Sequence, residues 1–145
     1  MNISRFKTPL RYVMGALYIF AGVMHFVVPQ FYVQIMPPWL PWHLELVYLS
    51  GVAEIVLGAG VLFPRYSQLS AWGIIALLVA VFPANIYMAT SNVQLEGLPE
   101  WMNQPEPLQR WARLPFQAIF ILWAWWYTKA EPLPSTPADI ARERA

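Results

Sequence analysis

Residues Ser50–Phe63 read SGVAEIVLGAGVLF. One carboxylate, Glu54, stands in a run that otherwise suits lipid or tightly packed helices. An ionised side chain at mid-bilayer costs roughly 2.5–3.5 kcal/mol on insertion scales, so Glu54 has to face protein and be paired or protonated. Gly51, Glu54, Ile55 and Gly58 share one helical face by their spacing. Small residues on that face let a neighbouring backbone approach closely. This stretch therefore reads as a membrane span with an inward-facing acid.

Composition agrees. The 145-residue chain is 58% hydrophobic and 12% charged, about half the charge of an ordinary soluble domain. A net charge of +1 gives no electrostatic case for nucleic acid. There is no cysteine, which excludes disulfides, thiol exchange and thiolate-held metals. Four apolar segments approach the ~20 helical residues that cross a hydrocarbon core. They lie near 10–28, 44–63, 69–90 and 108–128, within one membrane domain over 1–128, and a flexible cytoplasmic tail follows over 129–145. The basic start and apolar run at the N-terminus are expected to remain as the first span, a cleaved signal being the alternative.

Arg5, Lys7 and Arg11 precede the first span, Arg65 separates the second from the third, and Lys129 follows the fourth. The connection over 29–43 has no Lys or Arg, and the one after Thr90 holds Glu96, Glu100 and Glu106. The positive-inside rule then puts both termini in the cytoplasm. The expected fold is an all-α four-transmembrane-helix bundle with N and C termini inside. A Pro- and aromatic-rich outer loop, PQFYVQIMPPWLPWH, joins helices 1 and 2 as an interfacial or partly re-entrant cover.

The other spans carry polar residues in the same half. Gly15, Tyr18, Gly22 and His25 form a stripe in the first. Asn85 lies shortly before the outer end of the third, where Pro83 should leave the Val79 carbonyl without its helical partner. Arg110, Arg113 and Gln117 share a side of the fourth, in which Pro115 either kinks the helix or starts it. From the outer boundary, His25, Asn85 and Arg113 fall at roughly 5–10 Å, and Glu54 and Gln117 at roughly 15 Å. An outward-facing pocket built from His25, Glu54, Asn85, Arg113, Gln117 and Tyr18 is the functional reading. The structural alternative is a buried Glu54–Arg113 ion pair that fixes helix register. His25 and His43 with Met24 and Met36 lack the tight spacing of a copper site, so no metal is expected.

The chain resembles the DoxX or DoxX-like family of bacterial integral membrane proteins. The resemblance is carried by YIFAGVMHFVVPQFY (Tyr18–Tyr32), SGVAEIVLGAGVLFPR (Ser50–Arg65) and AWGIIALLVAVFPANIYMA (Ala71–Ala89). It implies a multi-pass protein of the bacterial inner membrane associated with membrane redox systems, and it transfers no catalytic roles. His25, Glu54, Asn85 and Arg113 fall on polar positions that look characteristic of such proteins. With no cysteine, flavin motif or haem ligands, the chain is expected to hold no intrinsic cofactor and not to act as an enzyme on its own. The expected ligand is a small polar-headed hydrophobic molecule such as a quinone. Expected partners are the lipid bilayer and a membrane redox protein or a second copy. A structural or assembly subunit docking through glycine-rich faces is the alternative, followed by a proton-coupled transporter using Glu54.

Overall fold

The computed structural model describes residues 6–91, 93, 95–97 and 107–129. Among the described residues the regular structure is all helical, with no strand. Helices α1 (Lys7–Val27), α2 (Pro29–Gln34), α3 (His43–Leu62), α4 (Pro64–Thr90) and α5 (Pro107–Thr128) follow in order. Prolines start α2, α4 and α5, where a missing N–H costs nothing because the first turn has no acceptor for it. α4 begins at Pro64, five residues before the expected span, and so includes Arg65. Of the two readings of Pro115, the helix running through it is the observed one: α5 starts at Pro107. The loop between α1 and α3 holds the short helix α2, after which His43 Nε2 lies 3.1 Å from the Pro37 carbonyl and closes the turn into α3. The tail beyond Lys129 and the acidic positions Glu100 and Glu106 lie outside the described residues.

α1, α3 and α4 are long and apolar enough to cross a membrane. α5 is of similar length at 22 residues but is not one of these, since it opens with Gln109, Arg110 and Arg113.

Antiparallel neighbours pack in the order α1, α3, α4, α5, with α2 lying against α3 and α1. The tightest seam joins α1 to α3. A Cβ on Gly22 would sit 2.6 Å from the Gly51 carbonyl oxygen, and one on Gly58 would sit 2.9 Å from that of Gly15. Two glycines seven residues apart on each helix thus let the backbones touch. The stripe expected from the sequence is this seam. α3 and α4 are closest near their connecting turn, where Gly60 meets Ser70 and Gly73 meets Leu57. α1 and α5 meet through side chains: Tyr18 stands edge-on to Phe120 with centroids 6.5 Å apart, and the Tyr127 hydroxyl donates to the Lys7 carbonyl at 2.8 Å.

Two cores result. Met14, Tyr18, Val61, Ala71, Ile74, Ala124 and Tyr127 fill the end with the α3–α4 turn, where Lys7, Arg11, Arg65 and Lys129 also gather. Ile35, Met88 and Leu95, with Phe31, Tyr32 and Val93, fill the end covered by α2. Gln34 clasps this second core: its amide donates to the Glu96 carbonyl at 3.1 Å and accepts from the Glu96 N–H at 2.7 Å.

Candidate functional site

Between the two cores lies a cavity of about 670 Å³. α3 contributes Leu46, Leu49, Ser50, Ala53 and Glu54, and α4 contributes Leu77, Ala80, Val81, Ala84 and Asn85. His25 of α1, Phe31 and Tyr32 of α2, and Arg113 of α5 complete the polar end and its cover. Leu49 is 64% exposed and Ala80 is also exposed, so the apolar wall reaches the outer surface of the bundle between α3 and α4. Alanines at 53, 80 and 84 leave room there that larger side chains would fill.

His25 and Glu54 come together because Gly22 and Gly51 do. A Cβ on Gly51 would fall 2.7 Å from that of His25, and a Cβ on Gly22 would fall 3.0 Å from that of Glu54. His25 Nδ1 lies 2.9 Å from the Ala21 carbonyl and 3.4 Å from Glu54 Oε2. A carbonyl only accepts, so Nδ1 carries the proton and the bond to Ala21 is its main one. The longer approach to Glu54 is an electrostatic contact, and Oε2 is left sealed from solvent without a hydrogen bond. Tyr32 stacks on the imidazole, with centroids 3.7 Å apart and planes 20° off parallel. Burial raises the Tyr32 hydroxyl above the usual tyrosine range; the Glu54 charge adds to this and Arg113 opposes it. The phenol therefore lies within electrostatic reach of both charged groups.

Arg113 lies over the Phe31 ring, 6.0 Å from its centroid. It forms no ion pair with Glu54, so the register-fixing pair expected as the structural alternative is not made. Both groups face the same cavity without neutralising each other through contact.

Asn85 and Gln117 also meet, in a chain of amides. Asn85 Nδ2 donates to Gln117 Oε1 at 2.9 Å, and Gln117 Nε2 donates to the Leu78 carbonyl. The acceptor is one residue before Val79, whose carbonyl was the expected partnerless one. Gln117 is 4% exposed and holds α5 to α4 without lining the cavity. Tyr18, at 7% exposure, packs in the other core and does not line it either. Of the six residues named from the sequence, His25, Glu54, Asn85 and Arg113 line the cavity. Phe31, Tyr32 and Ser50 line it without having been named. The signal for the first two was present in PQFY, where a proline starts a helix and two aromatics follow. Within the aromatic-rich loop expected to act as a cover, Phe31 and Tyr32 line the cavity, while Trp39 is 68% exposed and does not.

Fold and site together define an all-helical protein with helices of membrane-crossing length and a polar-ended cavity among them. The chain belongs to the family described as a domain of unknown function, DUF8561, whose model matches residues 14–128. No curated protein and no solved structure matches it.

Proposed function

We propose that this protein is a four-helix, DoxX-like protein of the bacterial inner membrane. Its cavity binds a small polar-headed hydrophobic molecule such as a quinone, and the protein acts as an accessory to a membrane redox system. The observation that carries the reading is the cavity wall: apolar over most of its length and open between α3 and α4, with His25, Glu54, Asn85 and Arg113 converging at one end. A buried carboxyl and a guanidinium that share a space without pairing are expensive in an apolar surrounding. A polar head between them would offset that cost. The hydrocarbon tail lies along Leu46, Leu49, Ala53, Leu77, Ala80 and Val81 and leaves the bundle sideways, into lipid.

Both termini sit in the cytoplasm in this reading. Lys7, Arg11, Arg65 and Lys129 share one end of the bundle, which the positive-inside rule assigns to the cytoplasmic face, and α2 then covers the periplasmic end. α5, at about 33 Å, is long enough to span beside α4. Its Arg113 lies near the outer boundary and reaches inward to the cavity. Against a role as a docking subunit through glycine-rich faces, Gly15, Gly22, Gly51 and Gly58 are already consumed in the α1–α3 seam. The test is binding of a short-tailed ubiquinol, the reduced form of such a quinone, to the purified chain in detergent, with Glu54→Gln and His25→Ala alongside. Each substitution is expected to weaken binding about tenfold, as loss of one hydrogen bond to a charged or buried group does. Affinity unchanged by both would refute the reading.

A further inference from the structure

Within that reading, we infer that the cavity selects a head group that donates hydrogen bonds, a hydroxyl-bearing ring, over its acceptor-only counterpart. The argument runs from backbone carbonyls, which only accept. The Leu78 carbonyl takes a hydrogen bond from Gln117, so the nitrogen of that amide faces Leu78 and its oxygen faces Asn85. Asn85 must then turn its own nitrogen toward Gln117, which leaves Oδ1 as the atom presented to the cavity. The same logic fixes His25. Nδ1–H is held by the Ala21 carbonyl, so the neutral ring offers Nε2 as an acceptor. Ser50 repeats the pattern: its hydroxyl donates to the Val47 carbonyl at 2.9 Å and keeps its lone pairs for the cavity.

Three side chains on α1, α3 and α4 thus have a donor taken up by protein and offer acceptors to the same space. The carboxyl of Glu54 adds another. The donors on the wall are Arg113, which lies against Phe31 of the cover, and the Tyr32 hydroxyl, which donates or accepts. A head with a hydroxyl that donates its one hydrogen bond into the group of acceptors on His25, Ser50 and Asn85, and with a second oxygen toward Arg113, is matched at both ends. A quinone, with carbonyls only, satisfies the Arg113 end and leaves the acceptors facing its own oxygen lone pairs. A hydroquinone satisfies both. The site therefore discriminates redox states by hydrogen-bond direction, as sites built around a substrate hydroxyl reject analogues without it.

The experiment uses the full chain in detergent micelles and three probes of matched tail: a decyl-substituted hydroquinone kept reduced, its quinone, and its dimethyl ether. Affinity is read by titration calorimetry against protein-free micelles. The hydroquinone is expected to bind at least about tenfold tighter than either of the others. Asn85→Leu should remove about tenfold from the hydroquinone and leave the ether unchanged; Ser50→Ala, which disturbs no contact between helices, should remove about threefold from the hydroquinone alone. Equal affinity for the three probes, tighter binding of the quinone, or equal losses for hydroquinone and ether in both variants would overturn the inference while leaving a ligand site in place. Binding of none of the three would remove the underlying reading as well.

Discussion

Gly22→Ala tests the seam and the site at once. The new methyl would lie 2.6 Å from the Gly51 carbonyl oxygen, where ordinary contact begins at 3.4 Å. The opposing atom is backbone, so it cannot rotate away, and α1 and α3 must separate locally by about 0.8 Å. Over-packing of this kind costs about 1–3 kcal/mol. Helix propensity works the other way, since Ala in place of a helical Gly returns up to about 1 kcal/mol. The net expectation is a loss of about 1–2 kcal/mol. Gly73→Ala is the control: its methyl would meet the end of the Leu57 side chain, which can change rotamer, so the propensity gain dominates and stability changes by less than about 0.5 kcal/mol or rises. The assay is reversible unfolding in mixed micelles followed by tryptophan fluorescence. The same separation moves Glu54 away from His25, so Gly22→Ala should also weaken ligand binding, whereas Gly73→Ala should not. Equal stability for the two variants would refute the backbone-contact argument.

Gln117→Leu strands the Asn85 amide and removes the cross-helix bond to the Leu78 carbonyl, and should cost about 1–3 kcal/mol in the same unfolding assay. A stability within about 0.5 kcal/mol of the parent would mean that the amide chain does not hold α5 to α4. Gln34→Ala opens the clasp over the cavity, and hydrogen–deuterium exchange at the Glu96 amide should rise at least several-fold because that N–H loses its acceptor. Tyr32→Leu removes the ring stacked on His25; the loss should be about 0.5–1.5 kcal/mol beyond apolar burial, seen in the same unfolding assay, and a change below about 0.3 kcal/mol would refute a stabilising stack.

The helices were legible because apolar runs of span length and basic residues at their ends are written in local composition. The seam was legible for a related reason: Gly15, Gly22, Gly51 and Gly58 repeat at seven residues, and a repeat of that length is a contact stripe whatever its partner turns out to be. Partners are what a single sequence leaves open. Glu54 and Arg113 were natural candidates for each other by charge and depth, yet Arg113 lies on Phe31 and the side chain that approaches Glu54 is His25. Gln117 looked like a ligand group because it shares a face with Arg113. One helical turn deeper, it meets the α4 backbone where Pro83 disturbs the ladder, and that carbonyl holds it. Such outcomes depend on how far apart α3 and α4 stand at each level, which no periodicity encodes.

That separation is also what creates the cavity. Glycines at 60 and 73 draw α3 and α4 together beside their turn, and glycines at 22 and 51 draw α1 and α3 together on the other flank. α3 is thereby committed to α4 at one end and to α1 along its length. Toward α2, the alanines at 53, 80 and 84 are too small to fill the space between α3 and α4. A protein selected for stability alone would close such a gap with larger side chains, since unfilled volume in an apolar core costs roughly 24 cal/mol per Å³. Here the gap is kept, lined with aliphatic side chains up to the bundle surface, and ended by a carboxyl, an imidazole, an amide and a guanidinium. Glu54 is tolerated within α3 because this small polar chamber, rather than lipid or a single counter-ion, surrounds it.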